Sequence, residues 1–224
     1  TEWLPISSTG HMILAEQVLK FSLSAEFMEM FRVVIQLGAI LAVVVLYFKK
    51  LWPFCSDNGR DSGLARHIRW PVMRLWGKIL VACLPAAVLG LLLDDWMDAH
   101  LYNSVVVAIM LIVYGIAFIL IERRPRVPTT TKLSRITYKQ AVIVGAWQVL
   151  ALIPGTSRSG ATIIGGLLCG MSRACASQFT FFLAIPVMAG ASGLKLVKFL
   201  AKGGVFTLGE VGTLLVGCIV AFVV

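Results

Sequence analysis

The residues best suited to chemistry lie in a short polar segment, IPGTSRSGAT at 153–162, between two apolar runs. Proline cannot continue a helix and glycine allows a tight turn, so this segment ends the first run. Ser157 or Ser159 can then cap a second helix. The tip of this hairpin presents the cation of Arg158, several hydroxyl groups and the free N–H groups of a helix start, which together suit a phosphate. The candidate phosphate ligands in this segment are Thr156, Ser157, Arg158, Ser159 and Thr162.

A second polar segment lies at the beginning of the sequence, where EWLPISSTGH occupies residues 2–11. His11 can act as a general acid, a general base or a nucleophile, because imidazole titrates near neutral pH. Ser8 becomes a nucleophile if a neighbouring group takes its proton. Ser7 and Thr9 are better suited to capping a helix and binding phosphate oxygens than to covalent chemistry. Together with the first segment, these groups predict phosphoryl hydrolysis.

The carboxylate of Glu2 has three possible roles that the sequence leaves open. It can orient His11, activate a water molecule, or hold a divalent cation that bridges phosphates. We favour the cation, Mg²⁺ or Ca²⁺, because a bare carboxylate would repel a diphosphate. For His11 we favour an acid or base role, since Ser8 lies three residues earlier and can sit beside it on the same helical turn. The candidate catalytic residues are therefore Glu2, Ser8, His11 and Arg158, and the candidate metal ligand is Glu2.

The composition places both segments in a membrane protein. Of 224 residues, 58% are hydrophobic and 14% are charged, and several long apolar runs predict an all-α, polytopic membrane protein. The net charge of +9 could indicate nucleic-acid binding, but the basic residues cluster in loops between the apolar runs. This distribution is typical of the positive-inside rule, so we expect a membrane as the partner and no nucleic acid.

The apolar runs divide the sequence into two halves, each beginning with a predicted re-entrant helical hairpin that is followed by predicted membrane spans. In the first half, residues 1–122, the hairpin and the spans are 1–23, 27–48, 76–95 and 104–121. In the second half, residues 138–224, they are 138–171, 177–199 and 209–224. The sequence starts within a motif and stops within an apolar run, so we expect it to be truncated.

The two polar segments also resemble each other, because LPISS in the first and IPGTS in the second share an apolar residue, a proline and a Ser/Thr-Ser pair. Three predicted spans separate them, an odd number, so the halves must be inverted in the membrane. The basic loops at 51–78 and 122–139 should be cytoplasmic and the acidic turn at 94–103 outside. The hairpins then enter from opposite sides, and their tips can meet near the midplane, as in transporters with inverted repeats.

Three stretches resemble the membrane undecaprenyl-diphosphate phosphatases of the bacitracin-resistance type: TEWLPISSTGH at 1–11, FRVVIQLGAILAVV at 31–44 and LALIPGTSRSGAT at 150–162. The resemblance implies hydrolysis of undecaprenyl diphosphate to undecaprenyl phosphate and inorganic phosphate, which recycles the lipid carrier of cell-wall synthesis and confers bacitracin resistance. It also implies an inverted-repeat fold in the bacterial plasma membrane, with an active site open to the outer face. A homodimer is a further expectation.

The motifs of this family map onto the sequence residue by residue. The family's acidic motif corresponds to Glu2, although its earlier glutamate would precede Thr1. The family's histidine corresponds to His11. Arg32 stands where the resemblance leads us to expect an acidic residue. The serine and arginine motif corresponds to Ser157, Arg158, Ser159 and Thr162.

Two other classes of protein share some of these features. The acid-phosphatase-like lipid phosphatases also use Ser-Gly-His and Ser-Arg motifs, but they need a second histidine shortly after Ser-Arg, and residues 162–166 contain none. A transporter or flippase of polyprenyl phosphates would have the same inverted repeat, and fold alone does not separate it from a hydrolase. Release of phosphate from a polyprenyl diphosphate would distinguish the two.

Overall fold

The computed structural model describes residues 2–19, 24–54, 67–123, 127–201 and 203–224. Within these ranges the chain is built from α-helices, with short 3₁₀ turns and isolated bridges between them. The helices are α1 Ser8–Val18, α2 Ala25–Val34, α3 Gln36–Leu46, α4 Phe48–Leu51, α5 Trp70–His100, α6 Ser104–Glu122, α7 Tyr138–Val149, α8 Arg158–Leu168, α9 Arg173–Ala201 and α10 Leu208–Val223. The predicted all-α class is confirmed.

Four helical segments of the described chain are long and apolar enough to cross a membrane, and α10 is a shorter apolar helix of 16 residues. Many of their large apolar side chains are exposed on the outside of the bundle, as a lipid-facing surface requires. The predicted polytopic membrane protein is therefore confirmed. The four segments are Glu26–Leu46, Trp70–Leu93, Ser104–Glu122 and Arg173–Ala201.

The second predicted span, 76–95, lies within α5, which begins before residue 76 and continues beyond residue 95. Pro71 stands in the first turn of α5, where a missing N–H costs nothing, and it starts the helix within the predicted loop 51–78. The predicted acidic turn at 94–103 is helical up to His100, because aspartate only weakly disfavours a helix. Residues 55–66 of the same basic loop lie outside the described residues.

The first predicted span, 27–48, is interrupted at Ile35, between α2 and α3. Side chains from distant helices bind the carbonyl groups at this point: Ser192 Oγ donates to the oxygen of Val33 at 3.0 Å, and Cys218 Sγ lies 3.7 Å from the oxygen of Val34. A side chain inserted in this way competes with the regular hydrogen bonds of a helix. The Gly38 N–H instead bonds the oxygen of Ile35 at 3.1 Å, which is a tighter 3₁₀ turn.

The helix-break-helix predicted for the second polar segment is present as α7, a break and α8. Thr137 caps α7 through a capping box with Gln140, and Ser157 caps α8. Close packing fixes α7 against α5, since a Cβ on Gly145 would clash with the carbonyl oxygen of Ala82. Helix α8 is buried over most of its length by α6, α7 and α9, so the protein holds the second tip firmly in place.

One arm of the first predicted hairpin, 1–23, is described. Residues 2–6 form turns, and Ser7 then caps α1, which packs against α6. Residues 20–23 lie outside the described residues, and so do residues 124–126 of the second basic loop. The first polar segment is thus a turn that leads directly into a helix, like its counterpart in the second half.

Candidate active site

The two polar segments meet in the fold, although they are far apart in sequence. Ser159 Oγ donates a hydrogen bond to the carbonyl oxygen of Leu4 at 3.0 Å. Gly10 lies so near the other tip that a Cβ added to it would be 3.3 Å from the Cα of Gly155. The expected contact between the tips is therefore observed, whereas its depth in a membrane stays a prediction.

Gly155 sets the path of the second tip. Its φ of 88° lies in the left-handed region, which a residue with a Cβ rarely adopts. Its backbone also packs directly on α6, because a Cβ at this position would be 2.6 Å from the carbonyl oxygen of Val107. Only glycine satisfies both conditions, and the close approach fixes the tip relative to α6.

Glu2 connects the two segments through both of its carboxylate oxygens. Ser8 Oγ donates a hydrogen bond to Glu2 Oε2. Glu2 Oε1 lies 3.7 Å from Arg158 Nη2, which makes an ion pair without a direct hydrogen bond. The side chains of Glu2 and Arg158 are only 16% and 13% exposed, so water screens the pair weakly. This geometry places a carboxylate where it can take the proton of a serine.

Arg158 is the strongest candidate for an anion ligand. It is the first residue of α8, and the N-terminal end of a helix favours negative charge. Neither Nη atom of its guanidinium group has a hydrogen-bond partner among the described residues, although both atoms are buried. A buried cation with unused donors is costly unless a ligand accepts its hydrogen bonds. The Arg158 side chain is therefore ready to bind an oxyanion.

Two serines of the second segment shape its tip. Ser157 Oγ accepts a hydrogen bond from the N–H of Gly160 at 3.1 Å and so acts as the cap of α8. It also lies 3.1 Å from Ser159 Oγ, whose own proton goes to Leu4. In this structure both hydroxyl groups are used within the protein, and they hold the two tips together.

The two predicted threonine ligands differ in their surroundings. Thr162 Oγ1 donates to the carbonyl oxygen of Arg158 at 2.9 Å and accepts from Thr180 Oγ1 at 3.0 Å. Thr156 Oγ1 is buried and has no hydrogen-bond partner among the described residues. Thr156 thus offers a free donor beside Arg158, whereas Thr162 supports the first turn of α8.

The hydroxyl groups of the first segment are also bonded within the protein. Ser7 Oγ accepts from the N–H of Gly10 at 3.2 Å, and Ser7 has a φ of 59°, which is unusual for a residue with a Cβ. Thr9 Oγ1 accepts from Gln36 Nε2 at 3.2 Å. Gln36 is the first residue of α3, directly after the break in the first span, and it lines the site.

His11 lies on the same helix as Ser8, and its polar contact is with the backbone of the first segment. Its Nδ1 is 2.8 Å from the carbonyl oxygen of Ser7, and its side chain is exposed. Ser8 bonds to Glu2 instead of His11. The structure therefore links Glu2 to both Ser8 and Arg158, while His11 lines a cavity that Ser8 and Glu2 also line.

Two cavities adjoin the Glu2–Ser8 pair. One has a volume of about 200 Å³ and contains the Arg158 and Thr156 side chains, and we call it the arginine cavity. The other has a volume of about 540 Å³, includes His11 and is otherwise mostly apolar, and we call it the apolar cavity. Residues Glu2, Ser8 and Gln36 line both cavities. The site thus joins a compartment for an anion to a larger compartment for an apolar group.

Gln148 is a residue of the arginine cavity that the sequence analysis missed. It lies in the last turns of α7 and is only 2% exposed. Both polar atoms of its amide are buried without a hydrogen-bond partner among the described residues. The available signal was a single glutamine within an otherwise apolar run. The sequence analysis considered only the hydroxyl-rich segment that follows it.

Two ion pairs involve charged residues of α1 and α2. Arg32 Nη1 lies 2.5 Å from Glu16 Oε2, and Lys195 Nζ lies 2.5 Å from Glu29 Oε1. None of these four residues lines the arginine cavity or the apolar cavity. The arginine that stands in place of an expected acidic residue is thus paired with a glutamate of α1.

The arginine cavity offers one carboxylate as a ligand for a divalent cation. Glu2 is the acidic residue that lines the arginine cavity, and the described residues contain no cluster of three His, Cys, Asp or Glu side chains that could hold a metal ion. Mg²⁺ is often held by one or two carboxylates together with substrate phosphates. The donor set therefore fits a cation that arrives with a phosphate substrate.

A helical membrane bundle with a buried arginine, a serine–carboxylate pair and an adjoining apolar cavity defines a membrane protein that handles a phosphorylated apolar molecule. The chain belongs to the family of the bacitracin resistance protein BacA, whose profile matches residues 1–224. Curated relatives include an undecaprenyl-diphosphatase of Enterococcus faecalis, which is 62% identical over 100% of this chain and 80% of the relative. An undecaprenyl-diphosphatase of Streptococcus thermophilus is 55% identical over 100% of this chain and 76% of the relative.

Proposed function

We propose that this protein hydrolyses undecaprenyl diphosphate to undecaprenyl phosphate and inorganic phosphate, and so recycles the lipid carrier of cell-wall synthesis and confers bacitracin resistance. Its curated relatives are named undecaprenyl-diphosphatases. The observation that carries the proposal is the buried guanidinium of Arg158, which has unused donors and lies beside the Ser8–Glu2 pair. The site therefore combines an oxyanion ligand with an activated hydroxyl group.

In the proposed reaction the terminal phosphoryl group lies in the arginine cavity. Arg158 and Thr156 donate hydrogen bonds to its oxygens, and the start of α8 adds favourable charge. Ser8 Oγ attacks the terminal phosphorus, its proton passes to Glu2, and the bond from phosphorus to the bridging oxygen breaks. Undecaprenyl phosphate leaves, and water then releases inorganic phosphate from the serine.

The apolar cavity would hold the beginning of the prenyl chain. It shares Glu2 and Ser8 with the arginine cavity, so a molecule that lies across both has its diphosphate at the reactive groups. His11 lines the apolar side. From there its imidazole can donate a proton or a hydrogen bond to the leaving lipid phosphate, which is the acid alternative of the acid or base role that the sequence analysis favours.

We propose Glu2 as the ligand of a divalent cation, Mg²⁺ or Ca²⁺, held jointly with the phosphate oxygens of the substrate. When bound, the cation would offset the negative charge of the diphosphate. Arg158 already lies 3.7 Å from Glu2, so the protein itself compensates part of the carboxylate charge. The cation is then needed mainly for the phosphates.

We further propose that the two halves form an inverted repeat in the bacterial plasma membrane and that both polar segments are re-entrant. The meeting of the two tips supports this arrangement, because hairpins that enter from opposite faces reach each other near the midplane. The opening of the site to the outer face, the two-half division at 1–122 and 138–224, and the homodimer stay predictions.

Release of inorganic phosphate from undecaprenyl diphosphate by the purified protein in detergent tests the proposed function. We expect release with the wild type and background rates with Ser8→Ala. A transporter or flippase of polyprenyl phosphates would move the lipid between the leaflets of vesicles without releasing phosphate. Lipid movement without phosphate release would therefore replace the proposed function by that alternative.

A further inference from the structure

We propose that Gln148 is a further substrate ligand, whose amide N–H donates a hydrogen bond to the phosphoryl group held by Arg158. The inference rests on the proposed function for the identity of the substrate. Its structural basis is independent of that function, because it depends on an unsatisfied buried amide in the same cavity as the unused donors of Arg158 and Thr156.

The burial of Gln148 is the first observation. The residue is 2% exposed, and neither Nε2 nor Oε1 has a partner among the described residues. A buried polar group without a hydrogen bond destabilises the fold, and nearly all such groups in proteins are satisfied. An apolar residue at this place would fit the rest of the run better, so the amide requires a partner that enters the cavity.

A second glutamine on the same helix shows how a structural amide behaves in this protein. Gln140 Nε2 donates to Thr130 Oγ1 and to the carbonyl oxygen of Cys169, each at 3.1 Å. Gln140 Oε1 accepts from the N–H of Thr137 at 2.9 Å. Its amide is thus used at both ends to hold α7 to its neighbours. The Gln148 amide has no such bonds to the described residues.

The chemistry of the cavity indicates which ligand Gln148 binds. The unsatisfied groups of Arg158 and Thr156 are donors, and Gln148 adds the two N–H donors of an amide. A phosphoryl group at neutral pH presents several acceptor oxygens and few or no donors, so it complements this set. The amide adds no charge, and its Oε1 can accept a bond from the water that releases the phosphate. Gly145, one turn before Gln148, packs closely on Ala82 of α5.

Three substitutions test the inference. Gln148→Met keeps the length of the side chain and removes its donors, Gln148→Glu keeps the shape and adds a negative charge, and Gln140→Met is the matched control on the same helix. For each purified variant, kcat and KM are measured with undecaprenyl diphosphate, and inhibition is measured with inorganic phosphate. The midpoint of thermal unfolding is measured with and without phosphate.

We expect Gln148→Met to lower kcat/KM and to weaken inhibition by phosphate about tenfold to a hundredfold, the usual loss for a bond to a charged group. Its unfolding midpoint should be unchanged or higher, since two unsatisfied buried atoms are removed. Gln148→Glu should lose more activity, because its charge repels the phosphates. Gln140→Met should lower the unfolding midpoint and leave inhibition by phosphate within about twofold of the wild type.

A lower unfolding midpoint for Gln148→Met with unchanged inhibition by phosphate would overturn the inference and make Gln148 a structural residue. The proposed function can fail separately. If the wild type releases no phosphate from the lipid, the effect of inorganic phosphate on the unfolding midpoint still decides the role of Gln148. Loss of that effect in Gln148→Met supports the inference, and an equal effect in both proteins contradicts it.

Discussion

At the scale of single residues, Arg158 decides how the anion is held. Its guanidinium is buried, starts α8 and has unused donors at both Nη atoms. We expect Arg158→Ala to lower the turnover number by several orders of magnitude, and Arg158→Lys to recover little, because lysine cannot form two parallel bonds to one phosphoryl group. The turnover numbers of both variants are measured as phosphate release from undecaprenyl diphosphate.

Arg173 provides the control for this substitution, since it is an exposed arginine that pairs with Glu122. Arg173→Ala should leave the turnover number nearly unchanged, because exposed ion pairs contribute little. Near-normal turnover by Arg158→Ala would mean that the second polar segment has a structural role only.

Ser8 and His11 are expected to have different parts in the reaction. Ser8 bonds to Glu2, whereas the His11 Nδ1 faces a backbone carbonyl oxygen. Quenching the reaction with acid should trap a phosphoserine on Ser8, because phosphoserine is stable in acid. Mass spectrometry should find this adduct in the wild type and in His11→Gln, which would turn over more slowly, and not in Ser8→Ala. A phosphohistidine on His11 after a parallel alkaline quench, which preserves this acid-labile adduct, together with no phosphoserine after the acid quench, would exclude Ser8 as the nucleophile.

We expect phosphate release to need a divalent cation bound by Glu2, because the Glu2 carboxylate would otherwise repel the phosphates of the substrate. A chelator should therefore remove phosphate release, and added Mg²⁺ or Ca²⁺ should restore it. Glu2→Gln should be inactive in both conditions and should bind the cation more weakly in the presence of phosphate. If the wild type were fully active in chelator and Glu2→Gln were still inactive, the role of Glu2 as a cation ligand would be excluded. Its role as the base for Ser8 would remain.

At the scale of elements, the second hairpin depends on one glycine. Gly155 combines a φ of 88° with a close approach to Val107. Gly155→Ala should destabilise the protein by about 1–3 kcal/mol or more, since both the backbone and the contact with α6 must shift. The midpoint of thermal unfolding should fall, and phosphate release should fall with it because Arg158 lies three residues later.

Gly190 in α9 is the matched control, since a Cβ added there would meet no atom of the described chain within 4 Å. Gly190→Ala should raise stability slightly, because alanine favours a helix more than glycine does. An unfolding midpoint of Gly155→Ala equal to that of the wild type would mean that the tip rearranges without cost.

The elements also show what the sequence can and cannot predict. The second hairpin was predictable from the sequence, because Pro154, Gly155 and the serine cap determine the backbone of the residues next to them. The break at Ile35 was not predictable in this way, since the groups that compete for its carbonyls come from Ser192 and Cys218, far along the chain.

The same distinction applies to the residues of the site. Serines, an arginine and a histidine beside a turn are visible in the sequence as candidates for chemistry. Gln148 became visible only when folding buried its amide without a partner. The hydrogen bond from Ser8 to Glu2 was likewise not visible in the sequence, because it depends on the turns that position Glu2 before α1.

At the scale of the whole molecule, the charge distribution predicts how the chain lies in the membrane. Single cysteines placed in the basic loops at 51–78 and 122–139 should react with a membrane-impermeant reagent from the cytoplasmic side only. A cysteine placed close to residue 102 should react from outside. Basic loops on opposite sides of the membrane would contradict the inverted repeat, and they would leave the catalytic proposal intact.

The hydrogen bond between Ser159 and Leu4 has a consequence for the order in which the active site forms during synthesis of the chain. Ribosomes deliver the first polar segment long before the second, and a chain folds in membranes as its helices arrive. A half-made chain therefore contains Glu2 and Ser8 but lacks Arg158, the proposed ligand of the phosphoryl group. We therefore expect phosphatase activity to begin only when the second polar segment has packed against the first.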